Sequence, residues 1–166
     1  MKEKYNIQIQ IKNYGNINLE LDALAAPITV ANFIELISKN FYDGLTFHRI
    51  IDGFMIQGGD PIGNGTGGSD TKIKGEFAAN GVNNSISHTR GAISMARSQE
   101  MDSARSQFFI VHENSLFLDG QYAGFGYVTS GIEVVDAITK NTSVLDSNGT
   151  VKKENQPIID KIIILD

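Results

Sequence analysis

Short stretches in which apolar and polar residues alternate recur along the whole chain, and they constrain the fold more than any other feature. Alternation with period two places the apolar side chains of a strand on one face. The stretches are Ile7–Ile11, Ile17–Leu21, Phe47–Ile51, Phe54–Gln57, Ala92–Met95, Phe108–Val111, Phe125–Val128 and Ile158–Leu165. Seven or eight short strands separated by Gly, Asn and Asp clusters predict an antiparallel sandwich or barrel.

Two segments follow a helical period instead. Thr29–Lys39 spaces its apolar residues at three and four, with Thr29 as the expected N-cap, and Ser130–Glu133 has the pattern of a capping box opening a second helix. The strands do not alternate with helices, which argues against a parallel α/β sheet. The polar stretches Gly58–Gly81 and Asn141–Gln156 lack periodicity and are predicted to be surface loops.

Length and composition limit the organisation and the partners of the chain. Its 166 residues, 41% of them apolar, suit one hydrophobic core, so we expect a single domain over residues 1–166. The net charge is −5 and the 14 basic residues are scattered among 19 acidic ones, which argues against a nucleic-acid partner. There is no cysteine to form a disulfide, a thiolate nucleophile or a cysteine metal site.

The location of the protein is an expectation from what the sequence lacks. The first residues lead directly into the Ile7–Ile11 alternation, with no apolar export segment, and no apolar run is long enough to span a bilayer. We therefore expect a soluble cytoplasmic protein without membrane association. With no coiled-coil seam in view, a monomer is the simplest expectation.

An arginine in an apolar hairpin is the first candidate for function. Tyr42–Asp60 is largely apolar but contains Arg49 and Gln57. A cation there is costly to desolvate unless it has a task. A three-residue loop Ile51–Gly53 would gather Phe47, Arg49, Met55 and Gln57 on one face, whereas a two-residue Asp-Gly turn would place Gln57 opposite His48 and split the group. The three-residue loop is the favoured register.

Other motifs are interpreted as structural. Gly63–Gly68 fits the dinucleotide fingerprint, but no helical pattern follows it, so a flexible loop is expected. Asp146–Gly149 lacks the closing glutamate of a calcium loop and is expected to be a turn. His48, His88 and His112 have no metal-binding spacing and are interpreted as structural, with His48 facing inward. No metal and no cofactor are predicted.

A second aromatic cluster lies far along the chain. It comprises Ser106–Ile110 and Phe117–Tyr122. Because side chains alternate along a strand, Phe108 and Phe109 must lie on opposite faces. One of the two is therefore expected to look away from the core.

Together these clusters resemble the cyclophilin family of peptidyl-prolyl isomerases. Tyr42–Gly58, with Phe47-His48-Arg49 and Phe54-Met55-Ile56-Gln57, is similar to the signature segment of the family without a gap. Further matching motifs follow in the family's order and approximate spacing: Gly91–Ala96, Ser106–Ile110, Leu118–Gly120 and Phe125-Gly126. The resemblance covers nearly the whole chain.

The resemblance implies a mainly β fold, a closed eight-stranded antiparallel barrel capped by two α-helices, with a substrate groove on its outer surface. It implies Arg49 as the catalytic residue. The other groove residues that it implies are Phe54, Met55, Gln57, Gln107, Phe109, Phe117, Leu118 and Tyr122, with the backbone around Ala96, Arg97 and Ser98 pairing with the substrate. Proline-containing peptides and unfolded or folded protein clients are the implied partners, and assistance to folding is the implied role.

This chain departs from many members of the family at three positions. Arg97 stands where many have Asn, Phe117 where many eukaryotic members have Trp, and Tyr122 where many of those have His. A backbone contact should tolerate Arg97. Loss of the indole N–H predicts weakened affinity for cyclosporin-type inhibitors, and Tyr122 is expected to shift peptide preference.

The expected chemistry needs no nucleophile or general base. Rotation about an X-Pro bond makes and breaks no covalent bond, and in the twisted state the proline nitrogen regains its lone pair. A guanidinium aimed at that nitrogen would stabilise the twisted state more than the planar one. Gln107 would orient either Arg49 or the substrate. The alternative is a non-catalytic proline-peptide binding module or holdase chaperone that uses the same groove.

Overall fold

All eight predicted stretches form strands of one antiparallel sheet. The structure is a computed structural model and describes residues 2–165. The strands are β1 (Lys4–Ile11), β2 (Gly15–Asp22), β3 (Phe47–Ile51), β4 (Met55–Gly58), β5 (Ala92–Met95), β6 (Phe108–Val111), β7 (Gly124–Ser130) and β8 (Ile159–Ile164). Their order across the sheet is β3-β4-β6-β5-β7-β2-β1-β8. The antiparallel eight-stranded prediction is confirmed.

Full closure of the sheet into a barrel is not observed. The sheet is curled and open, and β3 and β8 are its two edges. Within residues 2–165 these strands meet only at their first residues and the segments before them, through a bridge between Thr46 and Ile158 and a hydrogen bond from the Phe47 N–H to the Pro157 carbonyl (3.0 Å). The edge of β3 is instead occupied by the chain before β8, because the Ile50 N–H donates to the Gly149 carbonyl at 2.8 Å. That segment keeps β8 from pairing along β3.

The core lies on the concave face of the sheet under helix α1 (Pro27–Ser38) and helix α2 (Ile132–Asn141). Phe33 of α1 is fully buried, with its ring centroid 5.1 Å from that of Tyr42, 5.5 Å from Phe108 and 5.1 Å from Phe125. Two helices on a β core were predicted, and both are present. Within residues 2–165, neither helix has the length and apolar character needed to cross a bilayer.

Helix α1 begins two residues before the predicted N-cap, so that prediction was wrong. Pro27 occupies the first turn, where its missing N–H costs nothing. Thr29 lies inside the helix, and its N–H and hydroxyl both donate to Glu76 Oε1 at 2.7 Å, while the Ile28 N–H donates to Oε2 at 3.2 Å. A buried carboxylate from a distant loop therefore caps this helix.

Helix α2 lies where it was predicted, but the capping box is not formed. Gly131 is the N-cap residue, with φ of 91°, and no side chain caps the helix. Ser130 is the last residue of β7, and its hydroxyl accepts a hydrogen bond from Asn18 Nδ2 at 2.9 Å. The left-handed conformation at Gly131 turns the chain directly from strand to helix.

Candidate active site

The hairpin of β3 and β4 has neither of the two registers considered from the sequence. Its loop has three residues, as favoured, but they are Asp52, Gly53 and Phe54, so that Ile51 pairs with Met55 and Arg49 pairs directly with Gln57. The favoured register was therefore off by one step along each strand. Arg49, Met55 and Gln57 still share one face, because cross-strand partners point to the same side of a sheet.

A β-bulge at His48 moves two residues from their predicted sides. The register shifts between Phe47 and Arg49, so the extra residue reverses the alternation there. Phe47 is fully buried in the main core, not beside Arg49 as predicted. His48 is buried outside that core, next to Gly65 of the 63–68 loop, so its predicted inward position was wrong.

Hydrogen bonds on three sides fix the Arg49 guanidinium. Its Nε donates to the Asn148 carbonyl at 2.8 Å, its Nη2 to Asn148 Oδ1 at 3.3 Å, and its Nη1 to Gln57 Oε1 at 3.2 Å. An arginine has five N–H donors, so three bonds leave two for another ligand. The guanidinium is half-buried and held in one orientation without an ion pair to a carboxylate in residues 2–165.

A chain of glutamines supports this arrangement. Gln57 Nε2 donates to Gln107 Oε1 at 3.0 Å, and Gln107 Nε2 donates to the Gly67 carbonyl at 2.8 Å. The amide of Gln57 is thereby turned so that its oxygen faces Arg49. In this structure Gln107 therefore orients Arg49 through Gln57.

Arg49 lies at the edge of a pocket of about 120 Å³ with an apolar floor, on the outer face of the sheet. The pocket brings together nine of the residues singled out from the sequence: Arg49, Phe54, Met55, Gln57, Ala96, Arg97, Phe109, Leu118 and Tyr122. Met55, Phe109 and Leu118 are buried and form its floor. Phe108 lies in the main core, so the opposite placement of Phe108 and Phe109 is confirmed.

Two predicted groove residues lie outside this pocket. Gln107 lines a neighbouring cavity and reaches the pocket only through Gln57. Phe117 is 73% exposed at the rim, with its ring centroid 5.7 Å from that of Phe54. An exposed phenyl ring extends the apolar surface at the rim but offers no hydrogen bond to a ligand.

The chain was compared with known proteins. A sequence model of the cyclophilin-type peptidyl-prolyl cis-trans isomerase/CLD family matches residues 6–165. The chain belongs to this family. It is 48% identical over 144 residues to peptidyl-prolyl cis-trans isomerase B of Bacillus subtilis, covering 87% of this chain and 92% of that protein. It is 45% identical over 137 residues to a Helicobacter pylori peptidyl-prolyl cis-trans isomerase, covering 81% and 80%.

The fold comparison agrees with the cyclophilin assignment. The crystal structure of a Cryptosporidium parvum cyclophilin-type peptidyl-prolyl cis-trans isomerase superposes with a TM-score of 0.85 at 30% identity, covering 98% of both chains. A second structure of that protein, in the presence of the dipeptide Ala-Pro, gives 0.84 at 31% identity, covering 97% of this chain and 99% of that one. Peptidyl-prolyl cis-trans isomerisation is therefore the activity of this cyclophilin.

Arg97 has a structural role that the sequence did not indicate. Its guanidinium carbon lies 4.9 Å from the ring centroids of both Phe77 and Tyr122. Its Nε and Nη2 donate to the Gln121 carbonyl at 3.1 and 2.8 Å. Tyr122 in turn meets Phe109 edge to face at 5.8 Å. Arg97 thus fixes the wall of the pocket that Tyr122 forms.

A Ser-His-Asp arrangement lies behind the floor of the pocket. His88 Nδ1 is 2.7 Å from Asp119 Oδ1, and His88 Nε2 is 2.8 Å from Ser94 Oγ. Nucleophilic catalysis would need a reachable serine, but Ser94 and His88 are both fully buried. The His88 ring stacks on Phe109 at 6.0 Å. The arrangement therefore supports Phe109 from behind, in keeping with the structural role predicted for His88.

Three parts of the site were missed from the sequence. Asn148 holds Arg49 from the segment interpreted only as a turn, and that turn is present, with the Gly149 N–H donating to the Asp146 carbonyl at 3.1 Å. The 63–68 loop contributes the Gly67 carbonyl, and Asp60 anchors that loop by accepting from Ile62, Asn64 and Gly65. No local sequence pattern indicates that His88 contacts Ser94 and Asp119. Across residues 2–165 no group of metal-binding side chains is assembled.

Acidification is expected to destabilise this cyclophilin. Burial lowers the pKa of His48 and of His88 from 6.5, and Asp119 offsets part of the effect at His88. The unfolded chain then binds protons more readily than the fold, so the free energy of unfolding decreases as the pH falls below about 6.5. Asp119 adds a second loss below about pH 4, since hydrogen bonds from Ser87 and His88 outweigh its burial and lower its pKa.

Thermal unfolding between pH 7.5 and 4 measures this effect. We expect the melting temperature to decrease with pH, and His48→Gln to make the decrease shallower between pH 7 and 5. A melting temperature that is constant or rises over that interval would contradict the argument from the buried histidines.

Proposed function

We propose that Arg49 catalyses the isomerisation by donating a hydrogen bond to the proline nitrogen of the twisted X-Pro bond. The barrier to rotation is about 18 to 20 kcal/mol because the twisted amide loses its resonance. In that state the nitrogen is pyramidal and accepts a hydrogen bond, which it does poorly when planar. A donor that is already oriented lowers the barrier because it interacts with the transition state more than with the ground state.

The fixed orientation of Arg49 is the observation that carries this proposal. Asn148 and Gln57 occupy three of its N–H donors and leave two beside the apolar pocket. A free arginine side chain would lose rotamer entropy on engaging the substrate, whereas this one is held before the substrate arrives. The backbone pairing of β3 with β4 fixes the position from which the Arg49 side chain extends.

The apolar pocket beside Arg49 suits a proline ring. Its floor of Met55, Phe109 and Leu118 offers van der Waals contact and excludes water from the reacting amide. The Cryptosporidium parvum relative was crystallised in the presence of Ala-Pro, which supports a proline-containing ligand for this chain. The Gln57 side chain and the backbone near Ala96 and Arg97 would hold the flanking peptide.

The clients that fit such a pocket are polypeptides with an accessible proline, including chains that are still folding. We propose that this chain acts on them as a monomer in the cytoplasm. Cyclosporin-type inhibitors would bind with weakened affinity, because exposed Phe117 has no ring N–H to donate. Titration of the protein with such an inhibitor measures this directly.

A peptide assay coupled to a protease that cleaves only the trans isomer tests the function. Catalysis predicts an isomerisation rate that rises in proportion to enzyme concentration above the uncatalysed rate. Binding of proline peptides without acceleration would leave the non-catalytic binding module as the function of this groove.

The activity is expected to be nearly independent of pH from about 6 to 9. An arginine stays protonated throughout this range, and no histidine lines the pocket beside Arg49 in which we place the proline ring. The measurement is kcat/KM for one neutral proline peptide across the range, with the protein folded at each pH. A bell-shaped profile with a limb near pH 6.5 would point to a histidine mechanism and contradict the role of Arg49.

A further inference from the structure

A second cavity opens beside the proline pocket and differs from it in character. It has a volume of about 190 Å³ and is lined by Gln57, Gly65, Thr66, Gly67, Ala96, Arg97, Ser98, Ser103, Arg105, Ser106 and Gln107. The lining residues with side chains longer than Ala are hydroxyl, amide or guanidinium groups. Such a lining suits a polar side chain and not an apolar one.

The charge in this cavity is uniformly positive. Arg97 and Arg105 line it, and no acidic residue does. The hydrogen bonds of both guanidinium groups go to backbone carbonyls, and within residues 2–165 neither forms an ion pair. Arg97 has nearly all its donors engaged. Arg105 makes a single long bond, from Nη1 to the Ser69 carbonyl at 3.4 Å, so its remaining donors are available.

One buried carboxylate, that of Asp60, lies behind the Gly67 wall of the cavity. Asp60 is 1% exposed and packs against Gly67 from inside the loop. Burial alone would raise its pKa, but N–H donors from Ile62, Gly67, Gly65 and Asn64 together lower it. Asp60 therefore stays ionised, but its oxygens are hydrogen-bonded to the loop that encloses it, and within residues 2–165 it forms no ion pair with Arg97 or Arg105.

The two cavities adjoin each other. They share Gln57, Ala96 and Arg97 as a common wall. In an extended chain, residues two apart point to the same side about 7 Å from each other. With a proline ring in the pocket beside Arg49, we expect the side chain two positions away to face the second cavity.

We propose that this cavity binds the carboxylate of a substrate Asp or Glu two residues from the proline, and that Arg105 determines this preference. The proposal rests on the proposed function, because it assumes that the proline occupies the pocket beside Arg49. Arg105 would donate to the carboxylate, and Arg97 would add its charge. The protein would then isomerise acidic proline segments preferentially.

Peptide series that differ in one side chain test the preference. Each series carries Glu, Gln or Lys at one position, either two residues before or two residues after proline, and kcat/KM is measured for every peptide. We expect the Glu peptide to exceed its Gln counterpart by about fivefold in one of the series, the size expected for a partly exposed ion pair. The ratio should fall in about 0.5 M salt, which screens such pairs.

Variants assign the preference to this cavity. Arg105→Gln should bring the Glu-to-Gln ratio close to one, and Arg105→Lys should keep part of the ratio. Thr66→Glu, at an exposed lining position, should also abolish the preference without disturbing the packing of Arg105. Lys161→Gln is the matched control, because it removes one positive charge from exposed β8 and should leave the ratio intact.

The outcomes separate this inference from the proposed function. Equal rates for Glu and Gln peptides in both series, or a ratio that survives both Arg105→Gln and Thr66→Glu, would overturn the carboxylate site. Neither result would bear on the proposed function, which wild-type activity on the neutral peptide tests separately. If the wild-type protein accelerates isomerisation of none of the peptides, the proposed function itself is contradicted.

Discussion

Replacing Arg49 with alanine is expected to lower kcat/KM for X-Pro isomerisation by about two to three powers of ten. One oriented donor to a transition state contributes typically about 3 to 4 kcal/mol, and alanine has no group to replace it. Met55, Phe109 and Leu118 form the floor of the pocket and are unchanged in this variant, so peptide binding should persist. The protease-coupled assay measures the rate, and isothermal titration with a proline peptide measures the binding.

Two controls make the Arg49 result specific. Circular dichroism and thermal unfolding should show that Arg49→Ala keeps its fold, since the β3 backbone pairs remain. Arg49→Lys keeps the charge but loses the planar fork that bonds Asn148 and Gln57, so we expect an activity between those of alanine and wild type. A wild-type rate for Arg49→Ala would remove Arg49 from the mechanism.

Replacing Glu76 with alanine is expected to reduce the free energy of unfolding by about 2 to 4 kcal/mol. Glu76 is 2% exposed and accepts hydrogen bonds from Ile28 and Thr29 in the first turn of α1. Alanine would leave buried donors unsatisfied and open a cavity beside them, and each of these losses costs on the order of 1 to 3 kcal/mol. Urea unfolding at pH 7.5 measures the change.

A matched acidic residue on the same helix provides the control. Glu35 is exposed and pairs with Lys39 at 3.2 Å, four residues along α1. Glu35→Ala should cost less than about 0.5 kcal/mol, as is typical for surface pairs. Glu76→Gln keeps an acceptor oxygen for Thr29 and should lie between the two. A Glu76→Ala protein as stable as wild type would show that the helix needs no cap from this loop.

The strands could be predicted because burial on one face imposes a visible alternation. β3, β5 and β6 have the bounds expected from the pattern, and the split between Phe108 and Phe109 follows from the same period. The motifs shared with the cyclophilin family then predict that Arg49, Gln57 and Phe109 line the same groove. These features are local in sequence or repeated along it, so one chain suffices to detect them.

The remaining features depend on contacts between distant segments. The bulge at His48 places Phe47 on the core face and not on the face of Arg49. The residue pattern of a five-residue strand does not reveal such an extra residue. Thr29 has the chemistry of an N-cap, but Glu76, forty-seven positions away, offers the stronger acceptor and Pro27 allows the helix to start earlier. Asn148 acts through its backbone carbonyl as much as its side chain, and every residue type has that carbonyl.

The covering of the β3 edge bears on how this protein avoids aggregation. An unpaired strand edge offers a row of backbone donors and acceptors to any extended chain, which is how aggregates and swapped dimers begin. Here residues 149–151 bond along β3 through Ile50 and His48, and Gly44 and Leu45 bond to Ile159 at the start of β8. The β3 edge, which lies beside the pocket of Arg49, thus offers no template for strand addition.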